Sequence, residues 1–201
     1  MDFDGSNDYL AVTSFIQTNH NLTKFIVLDV QNGGNYLCKT DGDSSWESGE
    51  NIWWLGEGDT FGSGNYPSFV GFGKEYFITN QAIPSEQSLL FFQKNNQAYS
   101  SQNYTWASNG QNLGHASNIL LYNNNSDTGT SIALGGCPTT YHGNRLYGGG
   151  INEVLIFNSF LTDTEITKVN YYLSRKWGLE ASMDSDGDGT VDAADSSPLG
   201  Y

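Results

Sequence analysis

The stretch from Gly148 to Trp177 constrains the fold of this chain more than any other. It opens with three glycines, Gly148, Gly149 and Gly150, which punctuate the sequence and let backbone pass close to a neighbour. Ile151 to Phe157 then reads as a strand rich in β-branched and aromatic residues. Val154, Leu155, Ile156 and Phe157 are consecutive apolar residues, too many for a strand with one wet face, so this strand is expected to be covered on both sides. Thr162 and Glu165 have the spacing of a capping box. Ile166, Val169, Leu173 and Trp177 follow at helical spacing, with Lys168 and Arg175 on the opposite side. Gly178 stands where a left-handed cap ends a helix. A buried closing strand, a tight corner and one amphipathic helix therefore form a single unit.

The segments Gly150-Ile151-Asn152-Glu153-Val154-Leu155-Ile156-Phe157-Asn158, Leu161-Thr162-Asp163-Thr164-Glu165-Ile166 and Tyr172-Leu173-Ser174-Arg175-Lys176-Trp177-Gly178 resemble the closing signature of laminin-G-like, concanavalin A-like jelly rolls found in large secreted bacterial proteins. Phe3-Asp4-Gly5-Ser6-Asn7-Asp8-Tyr9-Leu10 is similar to the opening strand and turn of that family. The two signatures bracket residues 3 to 178, and the resemblance implies that the first and last strands lie side by side. Asn152 stands where the family often has Asp; Asp2, Asp4, Asp8 and Asn152 are where a second calcium in the sandwich would be sought.

A chain of 201 residues holds one large β domain or two small ones and can bury a substantial core. The formal net charge of -14 argues against a nucleic-acid partner and against adhesion to anionic lipid. Heavy use of Gly, Asn, Ser and Tyr suits short strands joined by many turns. No apolar run reaches membrane-spanning length, so membrane insertion is not expected. Strand-like sequence begins at Asp2, and Met1 reads as an initiator placed on a fragment of a longer secreted protein. Cys38 and Cys137 have no metal-binding spacing; they either pair in an oxidising compartment or sit apart as small buried thiols.

Strands are expected at Lys24 to Val30, Tyr36 to Lys39, Asn51 to Leu55, Ser68 to Phe72, Glu75 to Thr79, Ser88 to Gln93, Ile119 to Tyr122 and Ser131 to Leu134. Asn95 to Gly114 fits either a strand or an ordered loop. Trp177 and one of Trp53 and Trp54 are assigned to the core. These elements predict an all-β fold, a two-sheet antiparallel jelly-roll sandwich with one short C-terminal helix and a calcium-loop tail.

Beyond the helix the composition changes. Asp184-Ser185-Asp186-Gly187-Asp188-Gly189-Thr190-Val191-Asp192-Ala193-Ala194-Asp195 sets carboxylates at loop positions that a calcium ion requires, with a glycine at the sharp turn. Asp184, Asp186, Asp188 and Asp192 are expected to bind through side chains, Thr190 through its carbonyl, and Asp195 to close the shell. Carboxylates gathered this closely repel one another until a cation binds. The run, with the Pro198 that follows, resembles the calcium-binding repeats of thrombospondin type 3. The chain thus divides into a sandwich at 1–180 and a linker repeat at 181–201. Lying outside the sandwich core, the repeat is expected to loosen on chelation far more than the sandwich.

No catalytic constellation stands out. Glu47 and Glu50 have the wrong parity for one strand face, Asp41 and Asp43 sit among loop residues, and His20 and His115 lack a metal-spaced partner. A Cys137–His142 dyad has nothing nearby to orient the imidazole. The chain therefore reads as a non-enzymatic binding module. Sugars are recognised by aromatic faces flanked by planar polar groups, and two loops supply both: Asp41, Asp43 and Trp46 in one, Tyr141, His142, Asn144 and Arg145 in the other. Each loop follows a strand ending in a cysteine, so the two meet if those strands run the same way. The expected ligand is a glycan or polysaccharide, with a protein- or peptide-binding adhesin module and a structural spacer as alternatives. The expected setting is an extracellular, secreted or cell-surface bacterial protein with flanking domains.

Overall fold

A computed structural model describes residues 1–13, 21–32, 34–40, 53–57, 69–72, 75–78, 86–97, 101–119, 131–136 and 146–201. In chain order the strands are β1 (Asp2–Asp4), β2 (Leu10–Thr13), β3 (Leu22–Asn32), β4 (Gly34–Thr40), β5 (Trp53–Glu57) and β6 (Phe69–Phe72). They continue as β7 (Glu75–Ile78), β8 (Gln87–Gln97), β9 (Ser101–Ser108), β10 (Gln111–Ile119), β11 (Ser131–Leu134) and β12 (Gly148–Phe157), before helix α1 (Asp163–Trp177). Two antiparallel sheets result, ordered β1-β12-β3-β8-β9-β10 and β2-β11-β4-β5-β6-β7. The protein is an antiparallel β-sandwich with one short helix.

The first and last strands pair, with Phe3 opposite Gly149. In the other sheet β2 pairs with β11. At this edge the chain passes from one sheet to the other between β1 and β2, and it passes back between β11 and β12. The first crossing is a turn in which Asp4 Oδ1 accepts the backbone N–H groups of Ser6 at 2.7 Å and Asn7 at 3.3 Å.

Strand β3 shows why the first sheet needs cover on both faces. Ile26 and Leu28 join the core between the sheets, beside Phe3, Tyr36, Phe92, Ile132 and Tyr147. Phe25 and Val27 face the other way, into a second cluster with Leu89, Phe91, Leu173, Leu179 and Met183. Lys24 is also buried, its ammonium 5.2 Å from the centre of the Phe92 ring.

Strand β12 is divided in the same way. Val154 and Ile156 pack on the inter-sheet core, while Leu155 and Phe157 pack under the helix. The expectation that four consecutive apolar residues need two covered faces is met by α1 on one side and the second sheet on the other. A register shift between Ile151 and Glu153 puts Ile151 and Val154 on the same inner side although they are three apart. Glu153 is thereby left on the helix side.

The three glycines do not precede this strand; they belong to it. Gly149 pairs with both Phe3 and Val30. A Cβ on Gly149 would lie 2.4 Å from the Tyr147 hydroxyl and 2.5 Å from the Asp29 carbonyl, so bare backbone is what lets the Tyr147 ring lie there. The Tyr147 hydroxyl donates to the Asp29 carbonyl beneath it.

The helix begins and ends where its sequence says. Thr162 Oγ1 accepts the Glu165 N–H at 3.4 Å, and Glu165 Oε2 accepts the Thr162 N–H at 2.8 Å. That second bond is the main reason the Glu165 carboxyl is held below the ordinary carboxylate range. Gly178 adopts φ 70°, ψ 34° and donates to the Ser174 carbonyl. Two buried polar residues fix the corner between strand and helix: Thr23 Oγ1 donates to Ser159 O at 2.8 Å, and Gln93 Nε2 donates to Leu161 O at 2.7 Å.

Of the two readings left open for Asn95 to Gly114, the structure takes the strand. Asn95 to Gly114 spans the end of β8 and a hairpin, β9–β10, whose turn is Asn109-Gly110 with φ 48° and 79°. Two positive φ values at an Asn-Gly pair suit the right-handed twist of a two-residue hairpin. Ile119, read as the start of a strand, is the last residue of β10.

Candidate functional site

The acidic loop after the helix is built on backbone bonds to its own carboxylates. Asp184 Oδ1 accepts the Gly187 N–H at 2.8 Å and Asp184 Oδ2 accepts the Gly189 N–H at 2.9 Å. Asp186 Oδ1 accepts from Asp188 N at 3.2 Å, and Asp188 Oδ1 from Thr190 N at 2.7 Å. Gly187 and Gly189 hold φ of 79° and 97°, which brings successive aspartates round to one side. One ligand oxygen from each of Asp184, Asp186 and Asp188 lies within 4.8 Å of the others. Among the described residues this is the one group of three or more such side chains close enough to share an ion. Asp2, Asp4 and Asp8 do not form another; Asn152 instead donates to Asp29 Oδ2 at 3.3 Å.

Two further aspartates have separate parts. Asp192 braces the loop, its two oxygens accepting the Ser185 N–H at 2.9 Å and the Ser185 hydroxyl at 2.7 Å. Asp195 Oδ1 accepts from Ser197 N at 2.7 Å, while its Oδ2 is buried with no hydrogen-bond partner. Asp186 has its carboxyl pushed above the ordinary range, first by burial and then by the like charges of Asp188, Asp195 and Asp184, which outweigh the Asp188 N–H it accepts. An orphaned carboxylate oxygen among mutually repelling carboxylates is a donor set suited to a hard cation, so the residues present fit one.

The loop is seated on the sandwich. The Asp184 N–H donates to the Asn109 carbonyl at 3.2 Å, at the β9–β10 turn. Asn109 in turn exchanges bonds with Leu89 of β8, through Asn109 N to Leu89 O at 2.9 Å and Leu89 N to Asn109 Oδ1 at 2.8 Å. A Cβ on Gly110 would come 1.7 Å from the Asp184 carbonyl, so only glycine permits this contact. Met183 is fully buried in the cluster under the helix, and Asn170 Nδ2 donates to Ser185 O at 3.4 Å. The expectation of a loop standing outside the core therefore gives way to a loop anchored in it by Met183. The Asn-Gly pair was the available signal; what it carried besides a hairpin was the landing site for residue 184.

Asp41, Asp43, Trp46, Tyr141, His142, Asn144 and Arg145 lie outside the described residues. Their flanking strands β4 and β11 are neighbours, yet they pair antiparallel, with Ser131 opposite Thr40 and Leu134 opposite Leu37. The condition that both strands run the same way is not met: the chain leaves β4 and β11 from opposite ends of the pair. Cys38 on β4 is buried and disulfide-bonded, so of the two readings open for it the structure takes the disulfide; Cys137 lies outside the described residues.

No family model and no curated protein matches the chain. Solved structures do. A CBM40 module of the Ruminococcus gnavus IT-sialidase, bound to α2,3-sialyllactose, matches at TM-score 0.57 and 13% identity over 77% of this chain and 84% of that one. The heptameric SAP-like pentraxin of Limulus polyphemus matches at TM-score 0.55 and 11% identity, over 80% and 76% of the two chains. Domain 4 of an extracellular GH43 arabinanase from Geobacillus stearothermophilus, in complex with arabinotriose, gives TM-score 0.51 and 12% identity over 80% and 71%. At these identities the likeness is one of fold, and the fold is the two-sheet sandwich.

Proposed function

We propose that this chain is a non-catalytic carbohydrate-binding module of an extracellular bacterial protein, with a concanavalin A-like, laminin-G-like sandwich at 1–180 and a thrombospondin type 3-like calcium repeat at 181–201. The observation that carries the reading is the sandwich itself, shared with modules whose structures hold sialyllactose and arabinotriose. The disulfide at Cys38 supports an oxidising compartment. Calcium fits the acidic loop because all of its available donors are oxygens: Asp184, Asp186 and Asp188, the buried Asp195 Oδ2, the Thr190 carbonyl, and the remaining lone pairs of Asp192. The bound ion would supply the positive charge that these carboxylates lack.

The glycan is assigned to the two loops, 40–50 with Asp41, Asp43 and Trp46, and 138–145 with Tyr141, His142, Asn144 and Arg145. Because β4 and β11 are antiparallel, each loop is treated as a separate site. A glycan array run beside a peptide library tests the class of ligand; peptide hits with no glycan hits would convert the assignment to an adhesin module. Trp46→Ala and Tyr141→Ala, made separately, test the site. Losing an aromatic stack should weaken glycan binding by roughly tenfold in at least one of them, without unfolding. Full glycan affinity in both variants would remove the loops from consideration.

A further inference from the structure

The outer side of α1 carries a groove that the loop sites do not use. It has a volume of about 560 Å³ and is lined by Lys168, Tyr171, Tyr172, Arg175, Lys176 and the tail residue Leu199. The first four recur along the helix at i, i+3, i+4 and i+7, so cations bracket two tyrosines on one stripe. In a chain with 8 Lys and Arg and a net charge of -14, three of the eight basic residues line this groove.

The three cations are not equivalent. Lys176 is committed to the sandwich: its ammonium lies 2.9 Å from Glu153 Oε2 and 5.4 Å from the centre of the Tyr172 ring. Arg175 meets Glu180 through Nε alone at 3.5 Å, with its side chain 64% exposed. Lys168 has no ion-pair partner among the described residues. Lys168 and Arg175, the latter with its terminal guanidinium nitrogens outside its ion pair with Glu180, thus stand seven residues apart, about 10.5 Å along the helix axis. Tyr172 is 51% exposed between them.

We propose that this groove binds an acidic polysaccharide carrying a carboxylate on every second sugar. One carboxylate meets Arg175, the next meets Lys168, and the sugar ring between them lies on Tyr172. Charge complementarity selects the occupant: the bulk of an acidic protein repels a polyanion, and this stripe is where it can land. The tyrosine between the charges is the surface a pyranose ring requires. That the polyanion is a carbohydrate rests on the module assignment above, whereas the site does not. The opposite wall depends on the acidic loop, since Asp195 holds Ser197 and Gly200 packs close to Asp186.

The probe is a hyaluronan octasaccharide, with a chitin oligosaccharide as neutral control and oligo-glutamate as peptide control, titrated calorimetrically at fixed calcium. Hyaluronan should bind, Lys168→Gln and Arg175→Gln should each weaken it about five- to tenfold, and Tyr172→Ala by a similar factor. Raising ionic strength to about 0.5 M should weaken it further, because these charges are exposed. All three residues are on a solvent-facing stripe, so the variants should keep the wild-type melting temperature. Absent hyaluronan binding, undiminished binding by the Lys168→Gln, Arg175→Gln double variant, or equal binding of oligo-glutamate would each overturn the proposal. Trp46→Ala and Tyr141→Ala separate the two sites: hyaluronan binding that survives both but fails in the double variant supports the groove even if the loop assignment falls.

Discussion

Calcium should stabilise the whole sandwich, because the acidic loop is fastened to it at three levels. Met183 is in the cluster under α1, the Asp184 N–H bonds the β9–β10 turn, and that turn bonds β8 through Asn109. Ions that bind only the folded form add RT ln(1 + [L]/Kd), about 2.7 kcal/mol at a hundredfold excess over Kd. For a domain of this size each kcal/mol moves Tm by about 2–4 °C, so saturating calcium should raise Tm by roughly 5–11 °C over chelator. The variant to compare is Asp186→Asn with Asp188→Asn. It replaces two charged ligands by neutral amide oxygens, which weakens calcium binding, and without calcium it also relieves repulsion around Asp186. Two effects of opposite sign follow: the metal-free double variant should melt no lower than the metal-free wild type, while at a fixed calcium concentration its calcium increment shrinks. Differential scanning calorimetry in chelator and in calcium measures both. Amide exchange should show chelator deprotecting the Asn109–Gly110 turn together with residues 184–195. If calcium binds and Tm does not move, the seating of the loop on the sandwich carries no energy and the coupling proposed between them is refuted. If calorimetry finds no calcium site, the metal assignment itself is gone.

Removing everything from Thr162 onward uncovers Phe25, Val27, Leu89 and Phe91; at about 1.5–3 kcal/mol each this equals the entire stability of an ordinary domain, so the truncated chain should be insoluble. A soluble fragment with a cooperative melt would show that the sandwich does not need its helix. Gly149→Ala and Gly178→Ala make the same chemical change for different reasons. At 149 the new methyl meets backbone and the Tyr147 ring and should cost several kcal/mol, while at 178 nothing lies within 4 Å and only the left-handed φ resists, about 1 kcal/mol. Urea midpoints that rank the two the other way would refute this account of β12. Burial raises the Glu153 carboxyl, but hydrogen bonds from Lys176 and from Trp177 Nε1 at 2.6 Å outweigh it, and the folded pKa lies below the ordinary 4.5. Its stabilisation is therefore complete above pH 4.5 and lost as pH falls from there through the folded pKa, and Glu153→Gln should flatten the fall in urea midpoint over that window. An unchanged acid limb in Glu153→Gln would refute the assignment.

How much of this was legible in the sequence depended on how local each cause is. The capping box, Gly178 and the apolar stripe of α1 were readable because they act within one helix. The double cover of β12 was readable because four apolar residues in a row break strand alternation. Glu153 was not, since its face is set by a bulge at Ile151–Glu153 and its partners lie on a helix more than twenty residues away. The hairpin of β9 and β10 was left open because its strands carry Asn, Gln and Ser where alternation of apolar residues would mark a strand. The antiparallel pairing of β4 with β11 was beyond reach for another reason: strand direction follows from topology, and two cysteines in separate strands carry no information about it.

The position of α1 also limits where any sugar can bind. A sandwich offers two kinds of surface, the loops at its rims and the outer face of a sheet, because its inner faces are filled by core. In this protein the outer face of the sheet β1-β12-β3-β8-β9-β10 is covered over β12, β3 and β8, where Leu161, Leu173, Leu179 and Met183 pack on Phe25, Val27, Leu89 and Phe91. A site on the outer face of those three strands would require displacing the helix and, with it, the segment that leads into the acidic loop. The surfaces that this packing leaves open include the rims, the outer face of the other sheet, and the exposed side of α1 itself. The last is physically the more demanding place for a neutral sugar, since its tyrosines stand among cations that a neutral ligand would leave unpaired. For a carboxylated sugar the same cations are partners, so the helix that closes one face to neutral glycans is the element that opens another to acidic ones.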